Sequence, residues 1–341
     1  MLAARSGPVA SCYRDPPNRI EPETRLRAAL KQAGQPYEGP FRYGEFIRYG
    51  DKGRSRPCWL IIHQFGNGHL TAVFGDWRQG SRHEFRSWSD AAFSFPMEWR
   101  RELEEWRCRQ EAAVAARQAQ AARLAAELWG RLALTGNHPY LERKQVPAMG
   151  VRFGSDEQGR GPCLVIPLRK PGEALTSLQF IYPDGRKHFL RGGAKKGAFH
   201  VLGGIGPDSL LYLAEGYATA ASLHLATGRP AVVAFDAGNL AAVAAALRRI
   251  YPAARLVLAA DNDRWKAAEI GPDGRPKGNT GVMKAAAVAR QYGAYLVVPD
   301  FTGLDTHDRP TDFNDLARLA GLEEVRRQLS RPVRPGRPFS P

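Results

Sequence analysis

The sequence predicts an α/β protein: a parallel sheet with flanking helices, preceded by a small, basic, mostly antiparallel subdomain and a separate N-terminal α+β domain. Two observations support this. From Ser209 onward, short apolar runs alternate with helix-like segments, the pattern of a parallel sheet covered on both faces. Upstream, strand-like runs follow one another across turn residues, as in antiparallel sheets.

The N-terminal part predicts a loose start over residues 1–20 and an aromatic, basic α+β domain over 21–96. A helix is expected from Pro22 to Ala33, and strand-like runs follow at Phe41–Tyr49, Cys58–Gln64, His69–Phe74 and His83–Trp88. Arginines and aromatics interleave, which suits base stacking and phosphate contact, although aromatics in small β domains also form cores. The candidate DNA-binding residues are Arg42, Tyr43, Arg48, Trp77 and Arg78.

A long helical connector is predicted for residues 97–135, because no Gly or Pro occurs between Met97 and Gly130. Its charges are typical of a solvated face, and it is assigned no chemistry.

The predicted basic subdomain covers residues 136–207, with strands at Cys163–Leu168, Ser177–Tyr182 and His188–Leu190. A turn at Pro183–Gly185 joins the last two of these strands. The stretch between Gly185 and Gly197 contains five basic residues and no acid: Arg186, Lys187, Arg191, Lys195 and Lys196. Such a stretch favours binding of phosphate groups.

The parallel unit is predicted over residues 208–325. Its strands are expected at Leu210–Ala214, Ala231–Phe235, Arg255–Ala260 and Ala294–Pro299, with helices near Thr219–Thr227, Leu240–Ile250 and Gly281–Tyr292. Residues 326–341 are rich in Arg and Pro and predict a disordered basic tail.

Acidic residues follow every strand of this unit, where open α/β sheets carry their sites. They are Glu215, Asp236, Asp261, Asp263 and Asp300. Asp261 and Asp263 are spaced to point to one side, so they can share a hard cation such as Mg²⁺. For Asp236 and Asp300 a helix-capping role is favoured. Asp312 and Asp315, further along, suit either a cap or a metal ligand.

Net charge and cysteine spacing narrow the class of protein. Of 341 residues, 49 are Lys or Arg and 34 are Asp or Glu, a formal charge of +15. This indicates a polyanionic partner, unless it reflects only an Arg-rich genome. The 4 cysteines form no Cys-x-x-Cys pair, so zinc is not expected. The absence of a long apolar run or a signal-like start predicts a cytoplasmic protein with no membrane partner.

The hexapeptide Glu215–Ala220 (EGYATA), followed in order by the Asp-x-Asp pair and the Asp312–Asp315 segment, resembles the TOPRIM domain of primases from conjugative plasmids and satellite phages. The resemblance covers about residues 137–320 and extends weakly to Phe74–Arg78. It implies that Glu215 is the catalytic acid and that Asp261 and Asp263 bind the metal ions, Mg²⁺ or Mn²⁺. Asp312 and Asp315 match the acidic segment that closes the domain, whereas Thr219 stands where many replicative primases carry another acid.

The basic stretch is similar to the subdomain that precedes TOPRIM in primases and holds template and incoming nucleotide. The residues so implied are Arg169, Arg186, Lys187, Arg191, Lys195 and Lys196.

The resemblance implies a bacterial DNA primase that makes short RNA primers on single-stranded DNA from nucleoside triphosphates, for a plasmid, phage or integrative element. The sequence contains no P-loop motif, so a replicative helicase would be a separate partner. Two alternatives stay open: a metal-dependent nuclease on the same fold, and a non-catalytic protein that binds single-stranded DNA. A topoisomerase is disfavoured, because Tyr217 within the motif is a poor nucleophile candidate.

Overall fold

The structure is a computed structural model that describes residues 20–50, 57–66, 68–76, 81–88, 97–172, 174–267, 269–270, 276 and 278–331. The chain divides into two compact units, residues 1–113 and 114–341. Across the described residues, no helix combines the length and the hydropathy needed to cross a bilayer.

The first unit contains helix α1 (Ile20–Gln32) and an antiparallel sheet in the order β1-β2-β3-β4. The strands are Phe46–Tyr49, Cys58–Gln64, Leu70–Asp76 and Ser81–Arg86. Alternate residues of β2 and β3 are buried and pack with Leu26 and Leu30 of α1, so one sheet face is covered by this helix. The predicted helix and all four strands are thus present.

Helix α2 (Met97–Arg131) is the predicted long helix, and the division between the units falls within it. It ends at Arg131, four residues before the predicted end at residue 135, and Ala133 just beyond it forms a β-bridge with Phe153. In the second unit, Ala121 and Ala125 of α2 are buried. Ala125 belongs to a core cluster with Cys163, Val165 and Phe180.

The second unit begins with the short helix α3 (Pro139–Lys144) and a second antiparallel sheet in the order β5-β6-β7-β8. Its strands are Arg152–Gly154, Cys163–Arg169, Leu175–Ile181 and Lys187–Phe189. The hairpin between β7 and β8 turns at Gly185, whose φ of +89° favours glycine. The sequence signals for α3 and β5 were too short to be predicted, but the antiparallel character is as expected.

The third sheet has the order β13-β12-β10-β11-β9. The strands β10 (Leu210–Ala214), β11 (Ala231–Val233), β12 (Arg255–Ala259) and β13 (Tyr295–Val297) are parallel, whereas the edge strand β9 (His200–Leu202) runs antiparallel to β11. The helices of this unit are α4 (Tyr217–Thr227), α5 (Leu240–Ile250), α6 (Arg264–Ala267), α7 (Thr280–Tyr292) and α8 (Phe313–Leu329). Two separate apolar clusters contain alternate residues of β10 and β12, as a sheet buried on both faces requires.

Helix α8 continues into the segment predicted to be a disordered tail from residue 326. Val325 and Leu329 are buried, and this burial accounts for the longer helix. Residues 332–341 lie outside the described part of the chain.

Candidate active site

Glu215 directly follows the central strand β10. The next residue, Gly216, is the extended N-cap of α4, so the chain turns sharply into the helix after the carboxylate. Tyr217 is buried, and its hydroxyl donates to the Pro147 carbonyl (2.9 Å) and accepts from the Met149 N–H (2.7 Å). Tyr217 therefore has a packing role, in agreement with the view that it is a poor nucleophile.

Asp261 and Asp263 follow the neighbouring strand β12, and the turn that carries them is held on several sides. The Asn262 side-chain amide donates to the Pro299 carbonyl (3.0 Å), and the Asp263 N–H donates to Asn279 Oδ1 (3.2 Å). A Cβ at Gly281 would lie 2.6 Å from the Asp261 carbonyl oxygen, so only glycine lets α7 begin this close. The turn is therefore fixed before any ligand binds.

Asp312 and Asp315 lie at the start of α8. Asp312 is the N-cap, and its Oδ1 accepts from the Asp315 N–H (2.8 Å). Asp315 uses both oxygens within the protein: Oδ2 accepts from the Thr311 N–H (3.0 Å), and Oδ1 pairs with Lys144 Nζ (3.3 Å). The structure thus supports a cap at Asp312 and leaves Asp315 occupied by local partners.

Asp236 and Asp300 also have local roles. Asp236 Oδ1 accepts from the Asn239 N–H (3.0 Å) just before α5, and Asp300 Oδ1 accepts from the Thr302 N–H (2.9 Å). Both carboxylates accept from backbone N–H groups in turns, but the helix-capping role predicted for them is wrong: the N-cap of α5 is Asn239, and no helix follows Asp300 in the described residues before α8 begins at Phe313.

The carboxylates at this edge of the sheet raise one another's pKa. Burial raises the pKa of Glu215 to about 7, with Asp263 and Asp236 adding to the effect. Burial likewise raises the pKa of Asp261 to about 8, with contributions from Glu215, Asp312 and Asp263. The pKa of Asp312 is also raised, by burial and then by Asp315. These acids are close enough to repel each other when ionised. We call this group the acidic edge; its members are Glu215, Asp236, Asp261, Asp263 and Asp312.

Two oxygens of this group have no partner. Glu215 Oε1 and Asp261 Oδ1 are buried and accept no hydrogen bond. A buried carboxylate oxygen without a donor or a cation is costly, and a divalent cation bound by oxygen ligands would remove this cost. The residues therefore fit a metal ion. The three predicted ligands, Glu215, Asp261 and Asp263, do not bring their ligand atoms within 4.8 Å of one another. Among the described residues, a different cluster meets that distance: Asp156, Glu157 and His188.

Lys187 is a predicted basic residue that interacts electrostatically with two of these acids, Asp312 and Asp261. Its pKa is lowered by burial and then by Lys144, while Asp312 and Asp261 oppose the shift. The residue as a whole is exposed, so the burial that lowers its pKa concerns the surroundings of the ammonium group, whose Nζ lies 5.6 Å from the centre of the Tyr140 ring. Lys187 thus brings a positive charge to the acidic edge.

The other predicted basic residues have more varied surroundings. Lys195 pairs with Asp236, which acts electrostatically on Glu215. Arg186 pairs with Asp184 at the exposed hairpin turn, and Arg191 and Lys196 are exposed. Arg169 ends β6 and exchanges backbone hydrogen bonds with Phe199 (2.9 and 3.0 Å). Lys187 and Lys195 are therefore the two that reach the acidic edge.

Sequence reasoning missed Lys144 and Tyr140, which both belong to α3. The available signal was the His138–Pro139 start: the His138 side chain accepts from the Tyr140 N–H, and Pro occupies the first turn. A six-residue helix is too short for periodicity to reveal.

The predicted DNA-binding residues of the first unit are not on one surface. Tyr43 packs against the core under α1, and its hydroxyl donates to Glu23. Arg42 is exposed and pairs with Glu45 (3.2 Å), and Arg48 lies on β1. Trp77 and Arg78 lie outside the described residues. Whether any of these residues binds DNA stays a prediction.

Comparisons with known proteins show several similarities. Residues 210–323 match the family model described as the Toprim domain. Two proteins of Escherichia coli, each named DNA primase TraC, are 34% identical over 189 residues and 36% identical over 168 residues. These matches cover 54% and 48% of this chain but 17% and 11% of the relatives, so the chain spans a small part of their length.

Solved structures of primases are also similar. The DnaG primase catalytic domain bound to ssDNA is 13% identical with a TM-score of 0.43, over 64% of this chain and 81% of that one. The primase fragment of the bacteriophage T7 primase-helicase protein is 15% identical with a TM-score of 0.37, over 53% of this chain and 67% of that one.

Proposed function

We propose that this chain is a DNA primase, because residues 210–323 match the Toprim domain model and the chain is 34% identical to a TraC primase over 189 residues. In this proposal it makes short primers on single-stranded DNA from nucleoside triphosphates. The observation that carries the proposal is the pair of buried oxygens, Glu215 Oε1 and Asp261 Oδ1, which have no donor at the carboxyl edge of the sheet.

Glu215, Asp261 and Asp263 would hold Mg²⁺ or Mn²⁺, with Asp312 beside them. When bound, such ions neutralise the charge that develops on a reacting phosphate and align the attacking oxygen. In primer extension the 3′-hydroxyl of one nucleotide attacks the α-phosphate of the next, and pyrophosphate leaves. The rigid turn at Asp261–Asp263 would keep the carboxylates in position without reorganisation.

Lys187 and Lys195 would face the triphosphate, because both lie beside the carboxylates at this edge. The exposed Arg191 and Lys196, together with Arg169 and Arg186, would contact the template backbone. Cations at these positions give affinity without reading the base sequence.

The test is a primer-synthesis assay on single-stranded templates with Mg²⁺ and nucleoside triphosphates. Glu215→Gln and Asp261→Asn should each lower the rate by about 10²-fold or more, since a lost carboxylate removes electrostatic stabilisation of the transition state. Glu157→Gln is the matched control, because it makes the same chemical change at a carboxylate outside the acidic edge and should retain the parent rate.

Three results would contradict the proposal. Unchanged synthesis by Glu215→Gln would remove the acidic edge from the reaction. Shortening of a labelled DNA strand in place of product growth would indicate the nuclease alternative. Metal-independent binding with no turnover would indicate a binding protein.

A further inference from the structure

The antiparallel sheet of the first unit has a second face, opposite to α1. In register, Phe46 pairs with Ile61, Arg48 with Trp59, and Gly75 with Arg82, so these residues point the same way. Residues one position along the strands, such as Ile47, Leu60 and Phe74, belong to the core under α1. We call the second side the open face; its aromatic and basic members are Phe46, Arg48, Trp59, Arg82 and Arg86.

The open face displays flat rings beside guanidinium groups. Phe46 is 50% exposed, and its ring stacks on Trp59 with centroids 5.9 Å apart and an interplanar angle of 13°. The Trp59 ring lies against Gly75, where a Cβ would come within 2.9 Å of it. A side chain at 75 would collide with the Ser81 carbonyl oxygen and with the indole, so glycine is needed for this close approach.

A groove of about 440 Å³ runs over the same face. Ile61, Thr71 and Val73 of the sheet line it, as do Trp88 and, from α2, Trp106. The Trp106 ring lies 5.3 Å from the His63 ring, so this part of α2 borders the sheet within the same unit. The size is within the range of sites that enclose a nucleotide-sized ligand.

The charge of the groove is positive. Its lining includes Arg82, Arg86 and Arg107, and Glu84 is the acid among the lining residues. Glu84 pairs with Arg82 at 2.9 Å, and both side chains are more than half exposed. Three arginines and one glutamate thus line the groove, so basic side chains outnumber acidic ones beside the rings, as suits contact with a phosphate backbone.

From this combination we infer that the open face binds single-stranded DNA, as a template site outside the Toprim domain. Bases stack on the exposed rings, and the arginines contact phosphates. A duplex is disfavoured, because its base faces are already covered by neighbouring pairs and cannot stack on a protein ring. The role of this DNA as a template rests on the proposed function, but the binding itself does not depend on catalysis.

This site differs from the surface predicted from the sequence. Arg48 is the one residue of that prediction that the described structure places on the open face, whereas Tyr43 packs on the α1 side. Phe46, Trp59, Arg82, Arg86 and Arg107 join Arg48 as candidates, and DNA binding by Arg42, Tyr43, Trp77 and Arg78 stays a prediction.

The experiment measures binding of a labelled oligo(dT) to the full chain by fluorescence anisotropy, with a chelator and without nucleoside triphosphates. The double variant Arg82→Glu/Arg107→Glu should bind at least about ten-fold more weakly near 0.1 M salt, and its affinity should depend less steeply on salt. Phe46→Ala, a change at a half-exposed ring, should weaken binding several-fold.

Two controls separate this inference from the proposed function. Lys31→Glu makes the same charge change on an exposed residue of α1, which covers the other sheet face, and should bind like the parent. Glu215→Gln should also bind oligo(dT) like the parent while failing to make primers. In primer synthesis, the double variant should need more template for half-maximal rate but keep its rate at saturation.

Parent-like binding by both the double variant and Phe46→Ala, with unchanged circular dichroism spectra, would overturn the inference and leave the proposed function untouched. Equal competition by duplex DNA, or tighter binding of oligo(rU) than of oligo(dT), would also overturn it. Primer synthesis by Glu215→Gln would instead contradict the proposed function alone.

Discussion

Two acidic clusters in the second unit look alike in composition but differ in how their oxygens are satisfied. Asp156, Glu157 and His188 bring their ligand atoms within 4.8 Å of one another. Glu215 and Asp261 belong to a looser group at the end of the parallel strands. By proximity alone, the first cluster would be the better metal site.

The hydrogen bonds reverse that ranking. Asp156 Oδ1 accepts from the N–H groups of Gln158 (2.9 Å) and Arg160 (2.8 Å), and Oδ2 accepts from Arg160 Nε (2.7 Å) and from the Tyr182 hydroxyl. Glu157 Oε2 lies 3.1 Å from His188 Nε2. These groups already have partners, and they order the β5–β6 turn.

The pKa values differ in the same way. Burial opposes ionisation of Asp156, but hydrogen bonds from Tyr182, Arg160 and Gln158 outweigh it and hold its pKa well below the usual range. The pKa values of Glu215 and Asp261 are raised to about 7 and about 8. Buried carboxylate oxygens without partners, more than closeness of acids, therefore mark a site prepared for a cation.

The largest expected effect on stability comes from Asp156→Ala. The substitution removes the acceptor of four hydrogen bonds, two of them from backbone N–H groups. We expect a loss of about 2 kcal/mol, which in a unit of this size lowers the thermal midpoint by about 4–8 °C. Differential scanning calorimetry measures this change in the thermal midpoint. A decrease of less than about 1 °C would contradict the view that the hydrogen bonds of Asp156 stabilise the fold.

The next effect is a pH dependence of opposite sign in the two clusters. The folded-state pKa values of Glu215 and Asp261 lie above those of the unfolded chain. The stability that these two groups contribute to the folded state is therefore fully present below about pH 4 and is lost as the pH rises to about 8. The pKa of Asp156 is lowered in the folded state. The stability that Asp156 contributes to the folded state is therefore present above about pH 4 and is lost only on acidification through the folded-state pKa.

Without metal, the thermal midpoint of the parent should therefore fall between about pH 5 and about pH 8. Glu215→Gln should reduce this fall, because one of the repelling charges is absent. Added Mg²⁺ should raise the midpoint of the parent at about pH 8 and should raise that of Glu215→Gln less. A thermal midpoint of the metal-free parent that does not change between about pH 5 and about pH 8 would contradict the inference that these carboxylates repel one another.

The smallest effect is expected for Glu157→Gln, which keeps a side-chain oxygen that can face His188. The thermal midpoint should change by about 1–2 °C at most, since exposed or partly exposed pairs contribute about 0.5 kcal/mol. The Mg²⁺-induced rise should equal that of the parent. A lost Mg²⁺ response in this variant would instead make the Asp156 cluster the metal site.

Much of the fold could be predicted, because local periodicity was strong. The bounds of β2, β10 and α5 agree with the predicted runs, and the acidic residues follow the strands as expected. The edge strand β9 was missed, since three residues carry no clear period and its pairing with β11 is set by packing. The antiparallel strand therefore follows from tertiary contacts.

The candidate site divides in the same manner. Strand-end carboxylates can be read from the chain because each follows its own apolar run, whereas the approach of Lys187 and Lys144 depends on how the antiparallel sheet and α3 pack. Tyr43 looked like a contact residue from its basic and aromatic neighbours, but it packs under α1. Composition cannot tell the two faces of a sheet apart.

Most of the element order, the motif that resembles the Toprim domain and the acids at the strand ends could be predicted, because they depend on residues near one another in the chain. Which acids have hydrogen-bond partners and which do not depends on the tertiary fold. That distinction needs partners from distant segments, such as Tyr182 beside Asp156, and it is the reason why the looser cluster is the better candidate for a metal ion.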